Sequence, residues 1–159
     1  MRIITVCLGN ICRSPAAEAV LKRALQRSGL DSQVSVRSAG TADYHVGEQP
    51  YPLTLEVGRE WGYTFDSVGA QLTREDIDDA DLILVMDESN YDDVLALAGP
   101  GDAEDKVHLL GEFASSVDTQ GVLEVPDPWQ RPKHVFVDMY EQIEDCVEGV
   151  VAAIKAGDL

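Results

Sequence analysis

Cysteine, histidine, basic charge and long apolar runs are all scarce in this chain of 159 residues. Three cysteines, Cys7, Cys12 and Cys146, do not make a disulfide framework, which points to a reducing compartment. Three scattered histidines offer no metal-ligand spacing, so neither a metal nor another cofactor is expected. No run reaches the roughly eighteen apolar residues of a membrane-spanning helix. The N-terminus has one charge and a short strand-like run. It lacks the longer apolar region and small-residue cleavage site of a secretory signal, so a cytoplasmic protein is expected. Only 12 lysines and arginines stand against 29 acidic residues, for a net charge of −17. That balance argues against nucleic acid and anionic membranes as partners. The length allows one domain with a full core and is short for two, so residues 1–159 read as a single domain.

Against this acidic background one segment stands out, Cys7-Leu8-Gly9-Asn10-Ile11-Cys12-Arg13 followed by Ser14-Pro15. It lies between an apolar run, Ile3-Ile4-Thr5-Val6, and an amphipathic stretch opening at Pro15, which is the pattern of strand, tight loop and helix. Loop amides and a helix N-terminus present free N–H groups and partial positive charge to an anion. Gly9 permits backbone turns that a side chain forbids, and Asn10 tolerates a left-handed conformation. Arg13 offers a planar fork for two phosphate oxygens. The same field favours the thiolate form of Cys7, a nucleophile for phosphorus. Ser14 is placed to cap the helix ahead of Pro15, or to hydrogen-bond the Cys7 sulfur. With positive potential confined to this loop, an acidic chain can still take a phosphate.

Further along, strands are expected at 2–7, 33–38, 81–86 and 107–110. Helices are expected at 15–28, 53–61, 88–98 and 132–156, with a short one opening at Thr73 with a capping acid. Residues 40–52 form a long, functional loop. The last helix carries a core stripe of Phe136, Tyr140, Ile143, Val147, Val150 and Ile154, with Cys146 beside it as packing. Alternating strands and helices imply an α/β fold with a parallel sheet covered on both faces. Sites in such sheets lie at the carboxyl ends of strands, where Cys7 falls and where the Asp87 and Asp127 loops leave.

The segment Val6 to Ala19 resembles the signature of the low-molecular-weight protein tyrosine phosphatases. The likeness continues through Arg37-Ser38-Ala39-Gly40-Thr41, Gln71-Leu72-Thr73, Ala80 to Asn90 and Val125-Pro126-Asp127-Pro128. The resemblance implies a single three-layer domain with a four-stranded parallel sheet in flavodoxin-like order 2-1-3-4. It implies hydrolysis of protein phosphotyrosine through a cysteinyl-phosphate intermediate. Cys7 would be the nucleophile, Arg13 the phosphate clamp and Asp127 the general acid, then base. Leu8, Gly9, Asn10, Ile11, Cys12 and Ser14 would form the phosphate cradle, with Asn10 holding its shape beside Ser14 and Ser38. Tyr44 and Trp129 would wall an aromatic slot. Partners would be phosphotyrosine-containing proteins, and the chain a monomer or at most a weak dimer. Ile11 favours a phenol ring, since the arginine-phosphatase branch would carry Thr there. Cys7 and Cys12, five residues apart in a curled loop, are also placed to form a disulfide when Cys7 is oxidised.

Departures from the family pattern sharpen the expectations. The family often has a His, and then Ala-Arg-Gln, where this chain has Ser67-Val68-Gly69-Ala70-Gln71. That histidine normally braces the loop Asn, so Asn10 is expected to be held by Ser67, Ser38 or water. Trp129 and Gln130 replace a tyrosine pair, which excludes regulation by phosphorylation there. Gln49-Pro50-Tyr51-Pro52 replaces a segment that usually contains Asp and Arg. Three other readings stay open: a phosphoarginine phosphatase, a thiol-dependent arsenate reductase, and a weakly active phosphotyrosine-binding module. The reductase needs resolving cysteines in the middle of the chain, and none lies between Cys12 and Cys146.

Overall fold

A computed structural model describes residues 1–159. Four parallel strands form one sheet: β1 (Arg2–Cys7), β2 (Ser35–Gly40), β3 (Leu82–Val85) and β4 (Val107–Leu109), in the order β2-β1-β3-β4. Six helices cover it: α1 (Arg13–Arg27), α2 (Pro52–Glu60), α3 (Arg74–Asp79), α4 (Glu88–Ala98), α5 (Val117–Gln120) and α6 (Lys133–Ala156). The expected strand order and two-sided coverage are both present. No helix is long and apolar enough to cross a membrane.

Alternation along the strands decides which face each side chain enters. Ile3 and Cys7 of β1 join Leu82 and Leu84 of β3 in the core under α1 and α6. Ile4 and Val6 join Ile83 and Val85 in the core under α3 and α4. Both faces are apolar because both are covered, so these strands read as continuous hydrophobic runs. The α6 stripe is buried as expected from Phe136 to Val150, with Cys146 packed beside it as expected and Met139 and Val151 added, while Ile154 is only partly buried.

The differences from expectation are informative. β2 runs to Gly40, two residues past the expected end, because β1 pairs Cys7 with Gly40 across the register. A Cβ on Gly40 would lie 2.8 Å from the Leu8 carbonyl oxygen, so only glycine lets β2 lie against the phosphate-type loop here. α1 begins at Arg13 rather than Pro15, and Ser14 does not cap it. Pro15 is tolerated as the third helical residue because amides in the first turn have no intrahelical acceptor to lose. Ser14 is thereby free to face the sheet. The short α3 has the expected Thr73 cap: Asp76 N–H donates to Thr73 Oγ1, and Thr73 N–H donates to the Asp76 carboxylate. Neither α5 nor the 3-10 turns at Ala103–Lys106 and Leu110–Phe113 were signalled by hydrophobic periodicity, being too short to show one.

Candidate active site

Cys7, the last residue of β1, puts its sulfur at the floor of a cleft of about 180 Å³. Leu8, Gly9, Ile11, Cys12 and Arg13 form the base of that cleft. Tyr44, His45, Asp127 and Trp129 form its sides. The fold thus brings together Cys7, Arg13, Asp127, Tyr44 and Trp129 from three separate stretches of sequence. Asn10 and Ser14 do not line the cleft. They lie behind the sulfur, both buried.

That buried layer holds the sulfur in place. The Asn10 N–H donates to Cys7 Sγ at 3.3 Å, and Ser14 Oγ lies 3.1 Å from the same sulfur. Asn10 Nδ2 donates to Ser14 Oγ at 2.8 Å, and the hydroxyl has two acceptors for its one proton, Cys7 Sγ at 3.1 Å and the Ala39 carbonyl at 3.5 Å, of which the sulfur is the nearer. The loop turns at Asn10, whose φ is 58°, and not at Gly9. What Gly9 supplies is space, since a Cβ there would meet His45 Cδ2 at 3.1 Å.

The brace of Asn10 is neither of the two expected hydroxyls, Ser38 or Ser67. Its Oδ1 accepts from the backbone N–H of Ala70 at 2.9 Å. Ser38 and Ser67 instead both donate to Glu18, at 2.6 and 3.1 Å. Glu18 is 3% exposed and also accepts from Lys22 at 2.6 Å. A buried carboxylate collects whatever donors surround it, and that draws both hydroxyls away from Asn10. Glu18 therefore ties α1 to β2 and to the segment carrying Ala70.

Arg13 is 3% exposed and has its own partner. Its Nη1 donates to Asp87 Oδ2 at 2.7 Å and to the Val125 carbonyl at 3.0 Å. Nη2 lies 3.9 Å from Asp127 Oδ2. Burial works against the guanidinium charge, but Cys7, Asp87 and Asp127 outweigh it and raise the Arg13 pKa. Asp127 sits on a segment pinned to the end of β3 by the Val125 N–H to Met86 carbonyl bond, 2.9 Å. Its Oδ1 accepts from the Trp129 N–H at 3.1 Å, and its side chain stays 46% exposed, facing the cleft mouth. Burial pushes the Cys12 thiol up to about 12, so at neutral pH it is a neutral thiol beside the cleft.

Three functional neighbours escaped the sequence reading. Asp87 leaves β3 at the same sheet edge as Cys7, a signal that was visible but unassigned. His45 adjoins Tyr44, bonds Glu48 through Nδ1, and tilts its ring against Trp129 at 6.4 Å between centroids. Ala70 acts through its backbone amide, for which no side-chain signal exists.

A family model described as low molecular weight phosphotyrosine protein phosphatase matches residues 2–158. A low molecular weight phosphotyrosine protein phosphatase of Schizosaccharomyces pombe is 36% identical over 156 residues, covering 97% of each chain. A crystal structure of a protein tyrosine phosphatase from Entamoeba histolytica, with Hepes in its active site, superposes with a TM-score of 0.93. It is 35% identical and the match covers 100% of this chain and 99% of that one. The arginine phosphatase YwlE, as a cysteine-to-serine mutant with a phosphorylated active-site serine, superposes with a TM-score of 0.86. It is 30% identical, with 98% and 96% covered.

Proposed function

The chain belongs to the low molecular weight phosphotyrosine protein phosphatase family, and from that premise we propose that it hydrolyses protein phosphotyrosine through a phosphocysteine at Cys7. The observation that carries this reading is the sulfur itself. Cys7 Sγ sits at the floor of the cleft with two hydrogen-bonding groups, the Asn10 amide and the Ser14 hydroxyl, and with the Arg13 guanidinium in the same cleft.

The steps follow from the placement. Phosphate oxygens occupy the loop amides and the N-terminal turn of α1, with Arg13 closing from one side. The Cys7 thiolate attacks phosphorus and the phenol oxygen departs. Asp127, across the cleft mouth, protonates that oxygen. It then accepts a proton from the water that attacks phosphocysteine, and Ser14 supports the sulfur as it leaves. A bound phosphate dianion beside Asp127 favours the protonated carboxyl that the first step needs. Tyr44 and Trp129 give the phenol ring two flat walls. The buried free cysteines fit a reducing compartment, and we place the enzyme in the cytoplasm.

The likeness to an arginine phosphatase gives phosphoarginine a specific claim as the alternative substrate. Ile11, part of the cleft base, favours the ring. One experiment addresses both chemistry and substrate. Phosphotyrosine and phosphoarginine peptides are mixed with wild type and with Cys7→Ser, and the quenched protein is analysed by mass spectrometry. Expected are a phosphocysteine on Cys7 from phosphotyrosine, faster turnover of that peptide, and phosphate binding without turnover in Cys7→Ser. Turnover by Cys7→Ser at the wild-type rate removes the covalent mechanism, and faster turnover of phosphoarginine removes the assigned substrate.

A further inference from the structure

Beyond the cleft, the protein exposes an apolar ridge at its mouth. Five of the nine exposed large apolar side chains, Leu8, Tyr44, Val46, Val68 and Trp129, belong to the segments that form or adjoin the cleft. Val46 is 57% exposed and Val68 is 55% exposed. They stand on two segments joined by backbone hydrogen bonds: Gly47 N–H donates to the Gly69 carbonyl and Gly69 N–H to the Glu48 carbonyl, both at 2.8 Å. The joint is tight, since a Cβ on Gly69 would come within 2.1 Å of the His45 carbonyl oxygen. One of these segments carries Tyr44 and His45 into the cleft wall, so Val46 and Val68 stand on backbone joined directly to that wall.

Charge around that surface is predominantly acidic. Residues 38–58, 60–73 and 107–130 contain no lysine or arginine. The same stretches place Asp127 in the cleft wall, Asp43 and Glu48 on the segment that carries Tyr44 and His45, Asp66 two residues before Val68, and Glu124 three residues before Asp127. Lys22, which approaches from α1, is taken up by Glu18 at 2.6 Å and Asp66 at 3.6 Å. Arg131 follows the Trp129 wall in sequence. The Arg13 guanidinium is buried in the cleft floor, where it meets the phosphate and not the flanking residues.

Resting on the phosphatase reading, we propose that the ridge is the docking surface for the substrate chain, and that it selects phosphotyrosines flanked by apolar and basic residues. An apolar side chain next to the phosphotyrosine would cover Val46 and Val68. Basic residues beyond it would meet the surrounding carboxylates, while acidic flanks would be repelled. The phosphate itself escapes this repulsion because its positive partners lie at the floor.

Steady-state kinetics test this on three substrates: p-nitrophenyl phosphate, a phosphotyrosine peptide with Leu and Lys flanks, and the same peptide with Glu and Asp flanks. The Leu/Lys peptide should exceed the acidic one in kcat/KM by at least about tenfold at low salt, with the gap narrowing as salt is added. Val46→Ser with Val68→Ser should raise KM for the Leu/Lys peptide about tenfold while leaving p-nitrophenyl phosphate kinetics unchanged. Equal kcat/KM for the two peptides overturns the proposal, as does an equal loss on p-nitrophenyl phosphate in the double variant. Sedimentation at assay concentration covers the rival occupant: a wild-type dimer that the double variant abolishes would assign the ridge to a second copy and overturn substrate docking. Wild type inert toward all three substrates would instead remove the phosphatase reading, and this proposal with it.

Discussion

Asp87 Oδ2 accepts from Arg13 Nη1 at 2.7 Å, so the arginine of the phosphate loop is already oriented before any anion arrives. A long side chain loses freedom when it binds, and a fixed one has less to lose. The pair also settles the charge of a guanidinium that is 3% exposed. Asp87→Asn keeps an acceptor but removes the charge. It should lower kcat/KM on phosphotyrosine peptides by about tenfold, in line with one charge-assisted hydrogen bond. Breaking a fully buried pair costs about 3–5 kcal/mol. Asp87 is 22% exposed, so chemical denaturation should show a smaller loss, about 1–3 kcal/mol. Unchanged kcat/KM would show that Arg13 orients itself without Asp87.

Gly69 should be as intolerant of change as any residue lining the cleft. A Cβ there meets a backbone carbonyl, which cannot rotate aside as a side chain can. Gly69→Ala must therefore separate the 45–48 and 68–70 segments and pull the Ala70 N–H from Asn10. We expect a stability loss of about 2–4 kcal/mol, in the range of overpacking combined with a lost buried hydrogen bond, and a fall in kcat. Ala70→Val, which keeps the amide on an exposed residue, should be near wild type. A fully active Gly69→Ala protein would mean that the amide brace is dispensable.

These two sites mark what could be read from the sequence. Cys7, Arg13, Asp127, Tyr44 and Trp129 converge because strand ends, loop glycine and Pro-Asp-Pro are local signals, and the sheet gathers strand ends by topology. The parallel sheet and most helix bounds were equally legible from hydrophobic period and punctuation, while the strand order followed from the family resemblance. Asn10's brace was not, because a backbone amide is the same at every residue and its position is set only by how two loops dock. The start of α1 was misplaced for a related reason: Ser-Pro normally signals a cap, but the sulfur of Cys7 claims the Ser14 hydroxyl. Ser38 and Ser67 were assigned to Asn10, although Glu18, one helical turn past Ser14, is the stronger acceptor.

Asp127 lies 3.9 Å from Arg13 and at the cleft mouth, a position that suits proton transfer to a departing phenol oxygen. Asp127→Asn should slow phenyl phosphates with poor leaving groups by about 10²–10⁴-fold, the usual contribution of a general acid. Substrates with strongly acidic phenols need no proton and should be far less affected. Plotting log kcat/KM, which covers only the steps up to phosphocysteine formation, against leaving-group pKa therefore gives a steeper negative slope in the variant. Parallel slopes for the two proteins would take Asp127 out of that role.

Cys12 and Cys146 are both pushed up to about 12 by burial, so both are neutral thiols at pH 7. Iodoacetamide at that pH should first alkylate Cys7, and inorganic phosphate should block it. Peroxide is expected to convert Cys7 to a sulfenic acid, which Cys12 can condense with to form a disulfide and release water. The attacking species is the Cys12 thiolate, and a thiol raised to about 12 gains thiolate steadily as pH rises toward that value. Disulfide closure should therefore accelerate by roughly tenfold per unit from pH 7 to 9, where titration is still far from complete. Cys12→Ser should keep its turnover but lose recovery by dithiol after peroxide, because Cys7 then proceeds to the sulfinic acid. Mass spectrometry of the oxidised protein at several pH values decides the matter. A pH-independent closure rate would mean that Cys12 is not the attacking thiol, and full recovery of Cys12→Ser without any Cys7–Cys12 linked peptide in wild type would leave Cys12 as packing under the loop.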